Sequence, residues 1–214
     1  NQMETILRVR YDVNSGFPSS RTFNVNYSIK PHSNWYYKHG EVPADWYSST
    51  STEGWTQGSD SDEHSFTNQI QLYKSTFNVA DINNIAGVVL SIKYKYGIVV
   101  YLNGNEAFRN GVSDATISTS SYGTNIYSDV MYRQVSLPIK TVQIGEVASA
   151  NLIQQGSNTI AIGLVATNSA LTEANFDCAV RLMGESSESR VFDYTVDYSA
   201  ISGSPSYVFY QYCY

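Results

Sequence analysis

Apolar residues recur at every second position in short runs along this chain, and each run is closed by a cluster of Gly, Asn, Ser or Pro. Alternation of this kind predicts strands with one buried face. It predicts them over residues 69–79, 87–94, 98–102, 106–109, 131–137, 157–167 and 175–183. The clearest pair begins with the β-branched and aromatic run from Ile98 to Leu102. The turn Asn103-Gly104 follows, and alternation resumes at Glu106, Phe108 and Asn110, the signature of a tight hairpin. Strands separated by turns, with no strand-helix-strand alternation, predict an all-β sandwich or jelly roll and exclude a doubly wound nucleotide-binding fold. The only segment read as helical is short, residues 145–152, with Ala148 and Ala150.

On either side of this series the pattern changes. Residues 5–11 and 22–29 alternate like strands and are separated by the turn formers Asn14, Ser15, Gly16 and Pro18. Residues 35–58 have little periodicity and read as long loops pinned by Trp35, Trp46 and Trp55. The hydrophilic stretch 185–189 reads as a linker. Beyond it the tail is aromatic again, with Phe192, Tyr194, Tyr198, Tyr207, Phe209, Tyr210, Tyr212 and Tyr214, and is expected to pack on something. The organisation this predicts is an N-terminal strand-like flank (1–34), a β-sandwich (35–184), and a linker with a C-terminal flank (185–214).

Composition narrows the function. Charged residues are only 15% of the 214 residues while aromatics reach 14%, and 18 are Tyr, so the expected surface is polar and weakly charged. The net charge of −6 removes the electrostatic basis for gripping a phosphate backbone, so no nucleic-acid partner is expected. No run approaches the roughly 20 apolar residues of a membrane span. The chain opens at Asn1 and reads as a processed product or an excerpt of a longer one. Its two cysteines, Cys178 and Cys213, permit one disulfide, which would add roughly 3 to 4 kcal/mol by loop closure. The alternative is a buried free thiol at Cys178, between Phe176 and Val180.

From Trp35 to Met183 the chain resembles the galactose-binding-domain-like β-sandwich modules of secreted carbohydrate-active and adhesion proteins. The resemblance runs in order through Trp35-Tyr36-Tyr37, then Pro43, Ala44 and Trp46, then Trp55 with Gly58, then Tyr73-Lys74-Ser75-Thr76-Phe77. It continues through Val99-Val100-Tyr101-Leu102-Asn103-Gly104-Asn105-Glu106 with Arg109-Asn110, then Gly156-Ser157-Asn158-Thr159-Ile160-Ala161-Ile162, and Asn175-Phe176-Asp177-Cys178. It departs at Lys95-Tyr96-Gly97, where the family has Asp-Asp-Gly, and at Cys178, which follows Phe-Asp. What it implies is a jelly-roll sandwich. It supplies no ligand motif, so no binding residue carries over. A shorter echo of discoidin-like modules, residues 199–206, breaks off at Val208; either another module begins there or the tail folds back as an extra strand.

Candidate sites follow from residue chemistry. Trp35, Trp46 and Trp55 match framework positions of the resemblance, which implies anchoring roles; stacking on a pyranose is the other reading. Trp46 and Trp55, with loop residues Tyr47, Tyr122 and Tyr127, are the ligand-binding candidates. Asp60, Asp62 and Glu63 form either a solvated acidic loop or oxygen ligands for a structural calcium, although the spacing is not that of an EF-hand. His32, His39 and His64 are scattered, without the spacing of a transition-metal site. Nucleophile elbows, phosphate-cradling loops and a contextually marked carboxylate pair are all missing, so a non-catalytic protein with no cofactor is expected. Asn26 heads the sequon Asn26-Tyr27-Ser28 and is a candidate glycosylation site.

The function expected is an extracellular module for glycan binding or cell adhesion. An alternative is a subunit of a filament, sheath or coat, a homo-polymer joined by strand addition between neighbouring copies through its terminal flanks. A second alternative is an accessory module of a larger carbohydrate-active enzyme.

Overall fold

The computed structural model describes residues 5–9, 20–23, 27–58, 69–124, 127, 129–141, 149–167, 176–184, 194–197 and 209–213. They fall into two units, Tyr27–Gly184 and a second formed by Asn1–Asn26 with Glu185–Tyr214. Among the described residues thirteen strands run in chain order: β1 Thr5–Val9, β2 Ser20–Phe23, β3 Trp35–His39, β4 Thr56–Gly58, β5 Ile70–Val79, β6 Gly87–Tyr94, β7 Gly97–Leu102, β8 Asn105–Asn110, β9 Met131–Pro138, β10 Gly156–Val165, β11 Asp177–Met183, β12 Tyr194–Asp197 and β13 Phe209–Cys213.

The larger unit is an antiparallel β-sandwich. A six-stranded sheet in the order β4-β3-β5-β10-β7-β8 faces a three-stranded sheet in the order β11-β6-β9. Alternation sorts the side chains between faces. Tyr73, Phe77 and Val79 of β5, Ile160, Ile162 and Leu164 of β10, and Ile98, Val100 and Leu102 of β7 point into the core between the sheets. They meet Val88, Leu90 and Ile92 of β6 and Cys178 and Val180 of β11 there. Burying one aliphatic side chain of this size contributes roughly 1.5 to 3 kcal/mol.

The central strands of the six-stranded sheet, β5, β10 and β7, are buried on their other face too. Ile70, Leu72, Val99, Tyr101, Ala161 and Val165 turn outward and are covered by Trp46, Val112 and Ile117, with Val42, Tyr47 and Trp55 at the margin. This is why β7 is buried at every position, although a sheet with one wet face would alternate. Gly163 makes the covering possible, because a Cβ there would meet Ile117 Cδ1 at 2.8 Å and Trp46 Cη2 at 3.1 Å.

Two motifs of the sequence meet in one hydrogen-bond knot. Asn103, in the left-handed region at φ 49°, donates to Leu152 O (3.0 Å) and Asn158 Oδ1 (2.8 Å) and accepts from Thr159 N (2.9 Å). Asn158 donates to the carbonyls of Gln154 (2.7 Å) and Gly156 (2.9 Å), and its Oδ1 also accepts from Gln154 N (2.8 Å). The β7–β8 turn is thereby tied to the loop before β10.

Several expectations are revised. Residues 35–58 are not all loop: β3 pairs with both β4 and β5, since Trp35, Tyr36 and Tyr37 are β-formers that dock on an existing strand edge. Residues 149–152 are not helical, because Thr141 and Ile139 capture their backbone groups: Thr141 N donates to Ala150 O and Leu152 N to Ile139 O. Residues 142–148 lie outside the described residues. The flanks pair with each other within the chain, β1 with β13 and β2 with β12, both antiparallel. The linker 185–189 and residues 199–206 lie outside the described residues. No helix among the described residues is long and apolar enough to cross a membrane.

Candidate functional site

Strand register places a polar and aromatic row across the outer face of the six-stranded sheet. Gln57 of β4 lies opposite Tyr36 of β3, which lies opposite Lys74 of β5; Ala161, Tyr101 and Glu106 continue the row on β10, β7 and β8. The segment between β3 and β4 then folds over it in successive turns, closed by Trp46 N to Pro43 O (3.1 Å), Ser49 N to Asp45 O (2.9 Å) and Trp55 N to Thr52 O (3.1 Å). Gly54, at φ +73°, supplies the left-handed turn that delivers Trp55.

Lys74 holds this covering segment from below. Its residue is only 2% exposed, and its Nζ donates to Ser49 O (2.8 Å) and Ser51 O (3.1 Å) while lying 4.6 Å from the centroid of the Trp55 ring. Burial lowers the pKa of the ammonium, and the charge of Asp45 opposes that shift. Trp55 is half-buried, and in the row itself Tyr36 is half-buried and Gln57 exposed. A partly exposed indole, with a phenol and an amide on the strands of the row below it, suits a ligand that is apolar on one face and hydroxylated at its edge.

The five aromatic candidates do not form one site. Trp46 is 2% exposed; its ring meets Tyr101 edge-on at 5.4 Å and Tyr47 at 5.6 Å, so protein occupies its surroundings. Tyr47 stacks on Tyr101 at 4.2 Å. Trp46, Tyr47 and Trp55 therefore share the outer layer. Tyr122 stands apart at 54% exposure, on the loop before Gly123. That loop is held by Arg109, which pairs with Glu106 through two hydrogen bonds (2.8 and 2.7 Å) and donates to the carbonyls of Asp114 and Ala115. Tyr127 lies against the inter-sheet core. The Arg133 guanidinium sits 3.1 Å from its ring centroid, and Tyr94 meets it edge-on at 5.7 Å.

Trp35 is buried in the core, edge-on to Phe176 at 5.2 Å. The carboxylate of Asp177 is buried as well. It accepts from His32 N (3.0 Å to each oxygen) and from the Tyr132 hydroxyl (2.6 Å), tying the segment before β3 to β11. Burial, and then Asp177 beside it, push the Tyr132 phenol upward.

Cys178 is a free thiol at 0% exposure, packed in the inter-sheet core, with Sγ 3.8 Å from Ala179 O. The disulfide to Cys213 that the sequence permits is thus not formed at Cys178, whose side chain points between the two sheets. Burial, and then the charge of Asp177, raise its pKa well above the usual thiol value. Cys178 is expected to resist a thiol-specific reagent at pH 8 in the native protein and to react within minutes in denaturant. Rapid labelling of Cys178 without denaturant, located by peptide mapping, would contradict that burial.

Asn26, Asp60, Asp62 and Glu63 lie outside the described residues. Among the described residues no group of three His, Cys, Asp or Glu side chains is placed to hold a metal ion. Lys74, Tyr36 and Gln57 were not among the candidates read from the sequence. One signal was available: strand alternation puts Lys74 on the same face as Ile70 and Leu72, an odd place for a lysine.

No protein-family model matches the chain, and no curated protein matches it. Among solved structures it is similar to a glycosyl hydrolase family 2 member from Bacteroides cellulosilyticus DSM 14838, at 13% identity and a TM-score of 0.45 over 77% of this chain and 21% of that one. It is also similar to a beta-glycosidase from Bacteroides vulgatus, at 12% identity and 0.46 over 78% and 20%. An uncultured Clostridium sp. beta-glucuronidase gives 11% identity and 0.44 over 75% and 30%. The chain spans about a fifth to three tenths of the length of these proteins.

Proposed function

We propose that the β-sandwich is a non-catalytic glycan-binding module that acts outside the cell as an adhesion element. The observation that carries this reading is the half-buried indole of Trp55, backed on one side by the buried Lys74 ammonium, whose register neighbour on β3 is Tyr36, with Gln57 next to it on β4. A ring held from behind loses little freedom when a sugar ring stacks on it, so less of the contact energy is consumed in ordering the site. The phenol of Tyr36 and the amide of Gln57 supply hydrogen bonds to ring hydroxyls. The weakly charged, Tyr-rich composition of the chain is consistent with an uncharged ligand.

A glycan array probed with the full chain tests this. Binding to at least one neutral glycan is expected, and Trp55→Ala should weaken it tenfold or more while melting within a few degrees of wild type. A blank array would overturn the reading, as would undiminished binding by Trp55→Ala.

A further inference from the structure

Lys74 is a charge enclosed in the outer layer, and its surroundings account for all of its donors. An ammonium has three N–H bonds. The carbonyls of Ser49 and Ser51 take two, and the face of Trp55 lies 4.6 Å away on the remaining side. These contacts join the strand β5 to the turn at residues 49–51 and to the indole in a single arrangement. The opposite charge that acts on the ammonium is that of Asp45, an exposed residue at the start of the covering turns.

We propose that Lys74 is the positioning residue of the Trp55 surface, and that its charge makes this surface selective for neutral and acidic glycans over amino sugars carrying a protonated amine. The selectivity rests on the glycan-binding reading above. Two arguments lead there. The cation already draws on the electron density of the indole from one face, so a second cation on the opposite face gains less from the ring. The two charges would also stand about 8 Å apart across the ring, where direct repulsion amounts to roughly a twofold to thirtyfold loss of affinity, depending on how far water screens it.

Two measurements decide the matter. Iodide and caesium quenching of tryptophan fluorescence at neutral pH reads chiefly Trp55, because Trp35 and Trp46 are buried. Iodide should quench more strongly than caesium in the wild type. The ratio should fall about twofold in Lys74→Met and be restored in Lys74→Arg, a pattern that loss of packing alone would not produce. An unchanged ratio in a folded Lys74→Met overturns the positioning role.

The second measurement needs no change at Lys74. Wild-type affinity for neutral N-acetylated chitin oligosaccharides is compared with that for their deacetylated, cationic counterparts at pH 5 and 0.15 M salt, which screens the net charge of the chain. Weaker binding of the deacetylated form, in the component lost in Trp55→Ala, supports the proposal. Equal or tighter binding of it overturns the selectivity. If no neutral glycan of any kind is bound, the glycan reading and the selectivity fall together, and the quenching ratio still decides whether the charge of Lys74 sits at Trp55.

Discussion

Asn158→Ala is expected to lower the unfolding free energy of the sandwich by about 4 kcal/mol, seen as a fall of about 10 °C in melting temperature for a unit of this size. Asn158 is 1% exposed, and its amide serves two carbonyls, one backbone N–H and the side chain of Asn103 at once. Truncation leaves these groups buried and unpartnered, and each one costs about 1 to 3 kcal/mol. Solvent reaching the loop at Gln154, which is exposed, reduces the total below the sum of the separate costs. Asn103→Ala should cost nearly as much, because it breaks three bonds of the same network, the one to Asn158 among them, and puts a Cβ-bearing residue without a local partner at φ 49°. The double variant should lose clearly less than the two single losses combined, since both act on one network. A shift under 2 °C for Asn158→Ala in differential scanning calorimetry would show that the knot does not hold the β7–β8 turn.

Alkaline pH is expected to unfold the protein through its buried tyrosines. Burial pushes Tyr94 up to about 12, with Tyr127 and Arg133 among its neighbours, and burial also raises Tyr101 and Tyr132. The folded value exceeds the unfolded value of about 10, so the unfolded chain releases protons first as pH rises. The stability from these groups is complete below pH 10 and is lost as pH rises through the folded values. For Tyr94 the slope is about 1.4 kcal/mol per pH unit, or about 3 kcal/mol between pH 10 and 12. Cys178 acts with the same sign from its unfolded value of 9.0 upward. Lys74 acts with the opposite sign: its folded pKa lies below 10.5, so the cost of burying its charge is relieved as pH approaches 10.5. Chemical denaturation of wild type and Tyr94→Phe at pH 9, 10, 11 and 12 isolates the tyrosine. The wild type should lose stability relative to the variant only above pH 10; parallel curves would show that Tyr94 ionises freely in the native state.

Much of the sandwich was legible because strands announce themselves locally. Alternation over β5, β6, β7, β8, β9, β10 and β11 located each strand within a few residues, and Asn103-Gly104 marked the hairpin. β3 and β4 were not legible. Their short aromatic and polar sequences pair only because β5 offers an edge, so the evidence for them lies on another strand. The segment 149–152 misled for a related reason: its Ala-bearing sequence favours a helix weakly, and hydrogen bonds to Ile139 and Thr141 outweigh that preference.

The candidate site was less legible than the fold. Trp46 and Trp55 look alike in sequence, yet Gly163 lets Trp46 lie against the sheet, while Gly54 and the turn at Thr52 leave Trp55 at the margin. Lys74 belongs to the site through carbonyls of Ser49 and Ser51, more than twenty positions earlier.

By itself the sequence determined the all-β class, the positions of most strands and which side of each strand is apolar, since those depend on periodicity and turn chemistry within a few residues. The tertiary structure decided that the central strands of the six-stranded sheet are buried on both faces, that the two flanks pair with each other, that Cys178 is a free core thiol, and that a buried ammonium backs one particular tryptophan. Each of these depends on which distant segments are brought into contact, and no local pattern of residues encodes that.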